Sequence, residues 1–188
     1  MTLTRADLLL RGVAGAGVVL AGPLAGRAFA QGGGDVDVLR FGLTLEQLEL
    51  VFYENSAGVD LSPAARALVD EFAGHQRAFV EALEAAIEEL GGPADRAPRF
   101  RFTTAGGESA FVAQAAALED AGVAALNGAG LRIESKQLLA VAGSIVATEA
   151  AHAATWRLLA EETPTPASFD ERFTRKRALR ALRPFLPR

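Results

Sequence analysis

Gly91-Gly92-Pro93-Ala94-Asp95-Arg96-Ala97-Pro98-Arg99-Phe100-Arg101-Phe102-Thr103-Thr104-Ala105-Gly106-Gly107 is the stretch on which the topology turns. It opens on a strong helix stop, carries two prolines and closes on a glycine pair, so it reads as an irregular connection. Gly106-Gly107 reads as a turn and not as a phosphate loop, because no strand pattern precedes it and no Lys follows it. Upstream, Ser62 as N-cap and Pro63 at the first helical position start a helix that continues to about Leu90. Downstream, helical periodicity covers roughly Ser109–Asn127 and ends at Gly128-Ala129-Gly130. The upstream helix would span roughly 40 Å. The connection, if extended, reaches about 55 Å. It can therefore run the length of a bundle and set the third helix down parallel to the second.

Working outward, a first helix is expected over roughly Val38–Asn55 and a fourth over about Ile133–Glu162, where Thr163-Pro164-Thr165-Pro166 ends it. A shorter basic helix is expected from Phe169 to Arg183. The expected fold is all-α: a four-helix bundle with one long crossover connection between helices 2 and 3, plus a short C-terminal helix. The Phe residues of the connection would cover an edge of its core. The 188 residues, half of them hydrophobic and 22% charged, suit a single domain. Without Cys there is no disulfide, thiol nucleophile or Cys-based metal site. A net charge of −4 gives no reason to expect nucleic acid as a partner.

The first thirty residues read as an address and are set aside from the fold. Arg5 and Arg11 precede a Gly/Ala-rich apolar run that ends at Ala28-Phe29-Ala30, an A-x-A cleavage signature. Thr4-Arg5-Ala6-Asp7-Leu8-Leu9 resembles a twin-arginine export signal, with Ala6 in place of the second Arg, which leaves that route and the general secretory route both open. The expected division is an export signal over 1–30, a flexible lead-in over 31–35, the bundle over 36–162 and a basic extension over 163–188. The expected location is outside the cytoplasm, in the periplasm, the cell envelope or the medium.

On alternating three-and-four spacing the core stripes are not wholly apolar. Helix 1 gives Leu39, Gly42, Glu46, Glu49 and Tyr53. Helix 2 gives Leu68, Phe72, His75, Phe79, Ala82, Ala86 and Leu90. Helix 3 gives Val112, Ala115, Glu119, Gly122 and Leu126, and helix 4 gives Leu138, Ala142, Ile145, Glu149, His152, Trp156 and Leu159. Every long helix thus places a carboxylate or an imidazole on its apolar face, and both His of the chain are among them. A lone buried carboxylate costs several kcal/mol unless it is paired or bound to metal. A divalent cation is the simplest shared partner. Glu149 and His152 lie one turn apart on one face and can serve one ion or two neighbours. A hydrogen-bonded polar core is the other reading of the same residues, and packing is the simpler role for Tyr53 and Trp156.

Leu43-Thr44-Leu45-Glu46-Gln47-Leu48-Glu49-Leu50-Val51-Phe52-Tyr53 resembles the first-helix signature of exported bacterial ferritin-like domain proteins, which include desiccation-related members. Ala117-Leu118-Glu119-Asp120-Ala121-Gly122-Val123 resembles their third helix, Glu149-Ala150-Ala151-His152 their fourth, and Pro164-Thr165-Pro166-Ala167-Ser168-Phe169-Asp170 their post-bundle segment. The halves also resemble each other weakly: Leu45-Glu46 matches Leu118-Glu119, position 75 matches 152, and Tyr53 matches Leu126. The resemblance implies a ferritin-like bundle with iron or manganese in its core, held by Glu46, His75, Glu119, Glu149 and His152, with Glu49 and Tyr53 as accessories. Phe72 stands where that arrangement has a bridging Glu, so a mononuclear site, a dinuclear site and no metal at all stay open.

Two functions of different class follow. One is an exported metalloprotein with a redox, oxidative-stress or metal-handling role. The other is a non-enzymatic structural or interaction protein of the cell envelope with a degenerate, metal-free site. Arg172, Arg175, Lys176, Arg177, Arg180, Arg183 and Arg188 follow the last acid, Glu171. They allow peripheral contact with an anionic membrane or an acidic envelope partner, although a solvated basic face is the simpler reading.

Overall fold

The structure is a computed structural model that describes residues 33–94, 96–102 and 105–185. The expected export signal, with the first two residues of the lead-in, lies outside the described residues. Five α-helices make up the chain there: α1 (Gly33–Glu54), α2 (Pro63–Glu89), α3 (Gly107–Gly130), α4 (Lys136–Leu159) and α5 (Arg175–Leu182). No strand occurs among the described residues. The helices pack as α1 with α2 and α3 with α4, and the pairs meet mainly along α1 and α3.

Polar ties at the helix ends fix the directions. Ser62, just before α2, donates from its backbone N–H and its hydroxyl to the carboxylate of Glu108 in the first turn of α3. These two helices therefore start at the same end and run parallel. At the opposite end Asp35 of α1 accepts from the backbone N–H groups of Glu134 and Ser135, at 2.8 and 3.1 Å, just before α4. The connection leaves beside α1, where Arg40 donates to the Pro93 carbonyl. It reaches the other end with Phe102 edge-on to Phe52. It thus crosses the full bundle, as its length allows.

Local chemistry explains the boundaries. Ser62 and Ser135 cap α2 and α4 by accepting from Ala65 and Leu138. At the end of α2, Gly91 (φ 78°) lets its N–H reach Glu88 O and that of Gly92 reach Ile87 O, closing the last turn as a Schellman motif. Several ends differ from the expected ones. α1 begins at Gly33 and not Val38, so Gly33–Asp35 is helical where a flexible lead-in was expected. The cause is tertiary, since Asp35 is buried and tied to the start of α4. α3 continues to Gly130 through Gly128, whose missing side chain lets the Phe173 backbone pack against the helix. α4 starts only after its Ser135 cap. It stops at Leu159 because Glu161 takes a left-handed φ of 60° and closes a Schellman turn of its own. The C-terminal helix starts at Arg175, capped by Thr174, and Phe169 stands outside it and exposed. Ala178 and Leu182 bury the inner side of α5, while Arg175 and Arg177 lie over the rings of Phe41 and Phe173.

The core fills one end with aromatic rings (Phe52, Phe111, Tyr53, Phe72 and Trp156) and the other with Leu39, Leu83, Ile87 and Leu138. α4 alone among the described helices is long and apolar enough to cross a membrane, and its inner face is buried in this core. Mid-bundle, between these apolar ends, lies a polar layer.

Candidate metal centre

Each long helix contributes to that layer by its own periodicity. Glu46, Glu49 and Tyr53 sit three and four residues apart on the inner face of α1, and all three are buried. α2 contributes Phe72, His75 and Gln76, α3 contributes Glu119 and Gly122, and α4 contributes Glu149, His152 and Trp156. Of these only His75 reaches the surface in part.

The layer divides into two neighbouring groups. In the first, carboxylate oxygens of Glu46, Glu49 and Glu149 lie within 4.8 Å of one another. Gln76 Nε2 donates to Glu49 Oε2 at 2.6 Å. Gly122 makes the room: a Cβ there would collide with Glu49 Oε1 and stand 3.3 Å from Glu149 Oε2. Both oxygens of Glu46 and of Glu149, with Gln76 Oε1, have no hydrogen-bond donor among the described residues. Buried oxygens so close together are stable only if something positive lies between them, and the choices are protons on the carboxyls or a cation.

The second group is a hydrogen-bonded chain. Trp156 Nε1 donates to the Tyr53 hydroxyl at 2.9 Å, and that hydroxyl donates to Glu119 Oε1. The same Glu119 oxygen lies 3.3 Å from His152 Nδ1, without the alignment of a hydrogen bond. His152 Nε2 and His75 Nδ1 share a hydrogen bond of 2.9 Å, which brings the chain to the half-exposed His75. Phe72 covers His152, with ring centroids 3.9 Å apart and planes inclined by 21°.

Electrostatics follow from this placement. Loss of water pushes Glu46 and Glu49 well above the usual carboxylate range, and the charge of Glu149 adds to the shift. Glu149 is raised to about 8, by burial first and then by the charge of Glu119, with the neighbouring polar groups of Glu49, Glu46 and Gln76 acting the other way. Burial and the Glu119 carboxylate raise the Tyr53 phenol. His75 is lowered, by burial and by His152 beside it. Such a cluster binds its protons more tightly than free carboxylates do, and a cation would have to displace them.

The sequence-derived residues thus all lie in the polar layer, in two groups. Glu46 and Glu149 converge, and Glu49, expected only as an accessory, converges with them. His75, Glu119, His152 and Tyr53 form the adjoining chain. Sequence reading missed Gln76 and the role of Gly122. Gln76 lies four residues after Phe72 and three before Phe79, so the inward face of α2 contained the signal. The chosen stripe stepped onto His75 and passed over its neighbour.

Residues 34–162 match the family model of the ferritin-like domain. The chain belongs to the ferritin-like domain family. No curated protein matches it. The family explains why polar side chains from four helices occupy a single layer, since bundles of this kind build metal sites from facing helices. The residues present fit a metal: the donors are carboxylates, they converge, and most of their oxygens have no hydrogen-bond donor among the described residues.

Proposed function

We propose that this ferritin-like protein is exported and holds iron or manganese in its core, in a redox, oxidative-stress or metal-handling role. The observation that carries the metal reading is the buried meeting of Glu46, Glu49 and Glu149, in which the oxygens of Glu46 and Glu149 have no donor among the described residues. Glu119, His152 and His75 stand beside it as further candidate ligands or as a hydrogen-bonding frame. When bound, iron or manganese supplies one-electron chemistry. The chain's own residues exclude bulk water from the carboxylates, and His75 offers an imidazole at the surface end of the chain. Arg5, Arg11 and Ala28-Phe29-Ala30 support export. The segment Pro164–Asp170 supports a desiccation-related kinship.

The test is elemental analysis of protein purified with iron or manganese present. About one metal per chain is expected, lost in Glu149→Ala. Below about 0.2 per chain in both proteins, the reading is refuted. Phe72 favours a second reading, a metal-free envelope scaffold, because its ring lies against His152 where a bridging carboxylate would belong. In that case Glu149→Gln with His152→Ala would leave the melting temperature insensitive to added metal.

A further inference from the structure

The two groups of the polar layer use their donor atoms differently. Two of the four imidazole nitrogens are engaged, His75 Nδ1 and His152 Nε2 with each other, while His152 Nδ1 lies 3.3 Å from Glu119 without the alignment of a hydrogen bond, and neither ring joins the converging carboxylates. The ring of Phe72 also covers His152. The carboxylates of Glu46 and Glu149 have all four oxygens buried and without a hydrogen-bond donor among the described residues. Glu49 completes that set. Its Oε2 is held by Gln76, and its Oε1 occupies the space that Gly122 leaves. Nothing in this group requires an imidazole.

We propose that Glu46, Glu49 and Glu149 bind one hard divalent cation of the manganese class through oxygen alone, with Gln76 as the positioning residue of Glu49 and with His75 and His152 outside the ligand set. The inference rests on the metal-binding reading above and narrows it. Carboxylate oxygen suits manganese, magnesium and calcium, whereas imidazole shifts preference towards iron, nickel, copper and zinc. Among the hard ions magnesium dehydrates reluctantly and calcium asks for six or more oxygens. A dry cluster of three carboxylates therefore favours manganese.

The experiment uses the purified chain titrated with manganese(II), followed by pulsed electron paramagnetic resonance of the loaded protein. That method detects the nitrogen of a coordinated imidazole. Expected are about one manganese per chain, no imidazole nitrogen signal, affinity reduced at least about tenfold in Glu49→Gln and about tenfold in Gln76→Leu with an altered manganese spectrum, and affinity within about threefold of the parent in His75→Ala. A coordinated-nitrogen signal in the unmutated chain overturns the inference and leaves the metalloprotein reading intact. So does a large loss in His75→Ala beside an unchanged Glu49→Gln. Failure of the unmutated chain to bind manganese, with iron bound instead, also overturns the inference alone. Failure to bind either metal overturns both readings.

Discussion

One fixed offset along the chain relates Glu46 to Glu119, Glu49 to Gly122 and Tyr53 to Leu126, and a second relates Phe72 to Glu149, His75 to His152 and Phe79 to Trp156. The pair α1–α2 and the pair α3–α4 therefore correspond in register and differ at particular places. Where α4 has the carboxylate of Glu149, α2 has the ring of Phe72. The missing carboxylate reappears as Glu49 on α1, and the matching position of α3 is emptied to Gly122, which gives Glu49 its space. The aromatic positions are unequal too. Tyr53 and Trp156 hydrogen-bond each other across the pairs, and their counterparts Leu126 and Phe79 have no polar atom to offer. The comparison teaches that the charge of this layer is shared unequally between the helix pairs, so its parts depend on one another across the pair boundary.

The largest effect expected from this imbalance is on pH dependence. With metal removed by a chelator, Glu46, Glu49 and Glu149 are raised above their unfolded values. Folding then carries no penalty from them below about pH 4.5, and each loses stability as pH climbs towards its folded value. For Glu149, raised to about 8, the loss is roughly 5 kcal/mol across that window. His75 is shifted down, so its smaller contribution has the opposite slope: stability is lost as pH falls below about 6.5. Chemical denaturation from pH 5 to 9 should show stability falling on the alkaline side and recovering when manganese or iron is restored. A flat profile would mean that the three carboxylates do not share one buried space.

Trp156→Ala comes next, at about 3–5 kcal/mol by thermal or urea unfolding, because the ring is fully buried and its loss also strips the Tyr53 hydroxyl of a donor. Phe79→Ala, at the matching position of α2, removes packing alone and should cost about 1 kcal/mol less. Tyr53→Phe is a smaller change, about 1–3 kcal/mol, since it leaves Glu119 and the Trp156 N–H without their shared partner. Leu126→Ala, on the other side of the same correspondence, would reveal no such polar coupling to Trp156 in a double-mutant cycle.

The bundle was legible because helices are local objects. Ser62-Pro63, Gly91-Gly92-Pro93 and the three-and-four spacing of apolar residues each report on a single turn, and the length of the connection was enough to require a crossing. Glu46, Glu119, Glu149, His75 and His152 were legible as polar interruptions of apolar stripes. Their division into two groups was not, because it depends on side-chain directions between helices. His152 meets His75 and lies against the Phe72 ring, both on α2, and no spacing within α4 encodes that. The early start of α1 and the left-handed Glu161 escaped for a similar reason: Asp35 is fixed by α4, and a non-glycine in that conformation carries no compositional mark.

The smallest effect is also the one that isolates the exchange of Glu49 for Gly122. Gly122→Ala adds a single methyl group in a helix where Ala is intrinsically favoured by up to about 1 kcal/mol. On an open helix face it would stabilise. Here the methyl meets Glu49 Oε1, so a net loss of about 1–2 kcal/mol is expected in place of that gain. In a Glu49→Ala background the obstacle is gone and the same substitution should be neutral or stabilising. The difference between the two backgrounds, a coupling of about 1–3 kcal/mol measured by urea unfolding of the four proteins at pH 5, is the energy with which these positions depend on each other. Burial raises the proton affinity of Glu49, so a cycle run on the acid side weighs shape more than charge. Additivity in the cycle would show that Glu49 can move aside at no cost, and the fit between α1 and α3 would then not be what positions it.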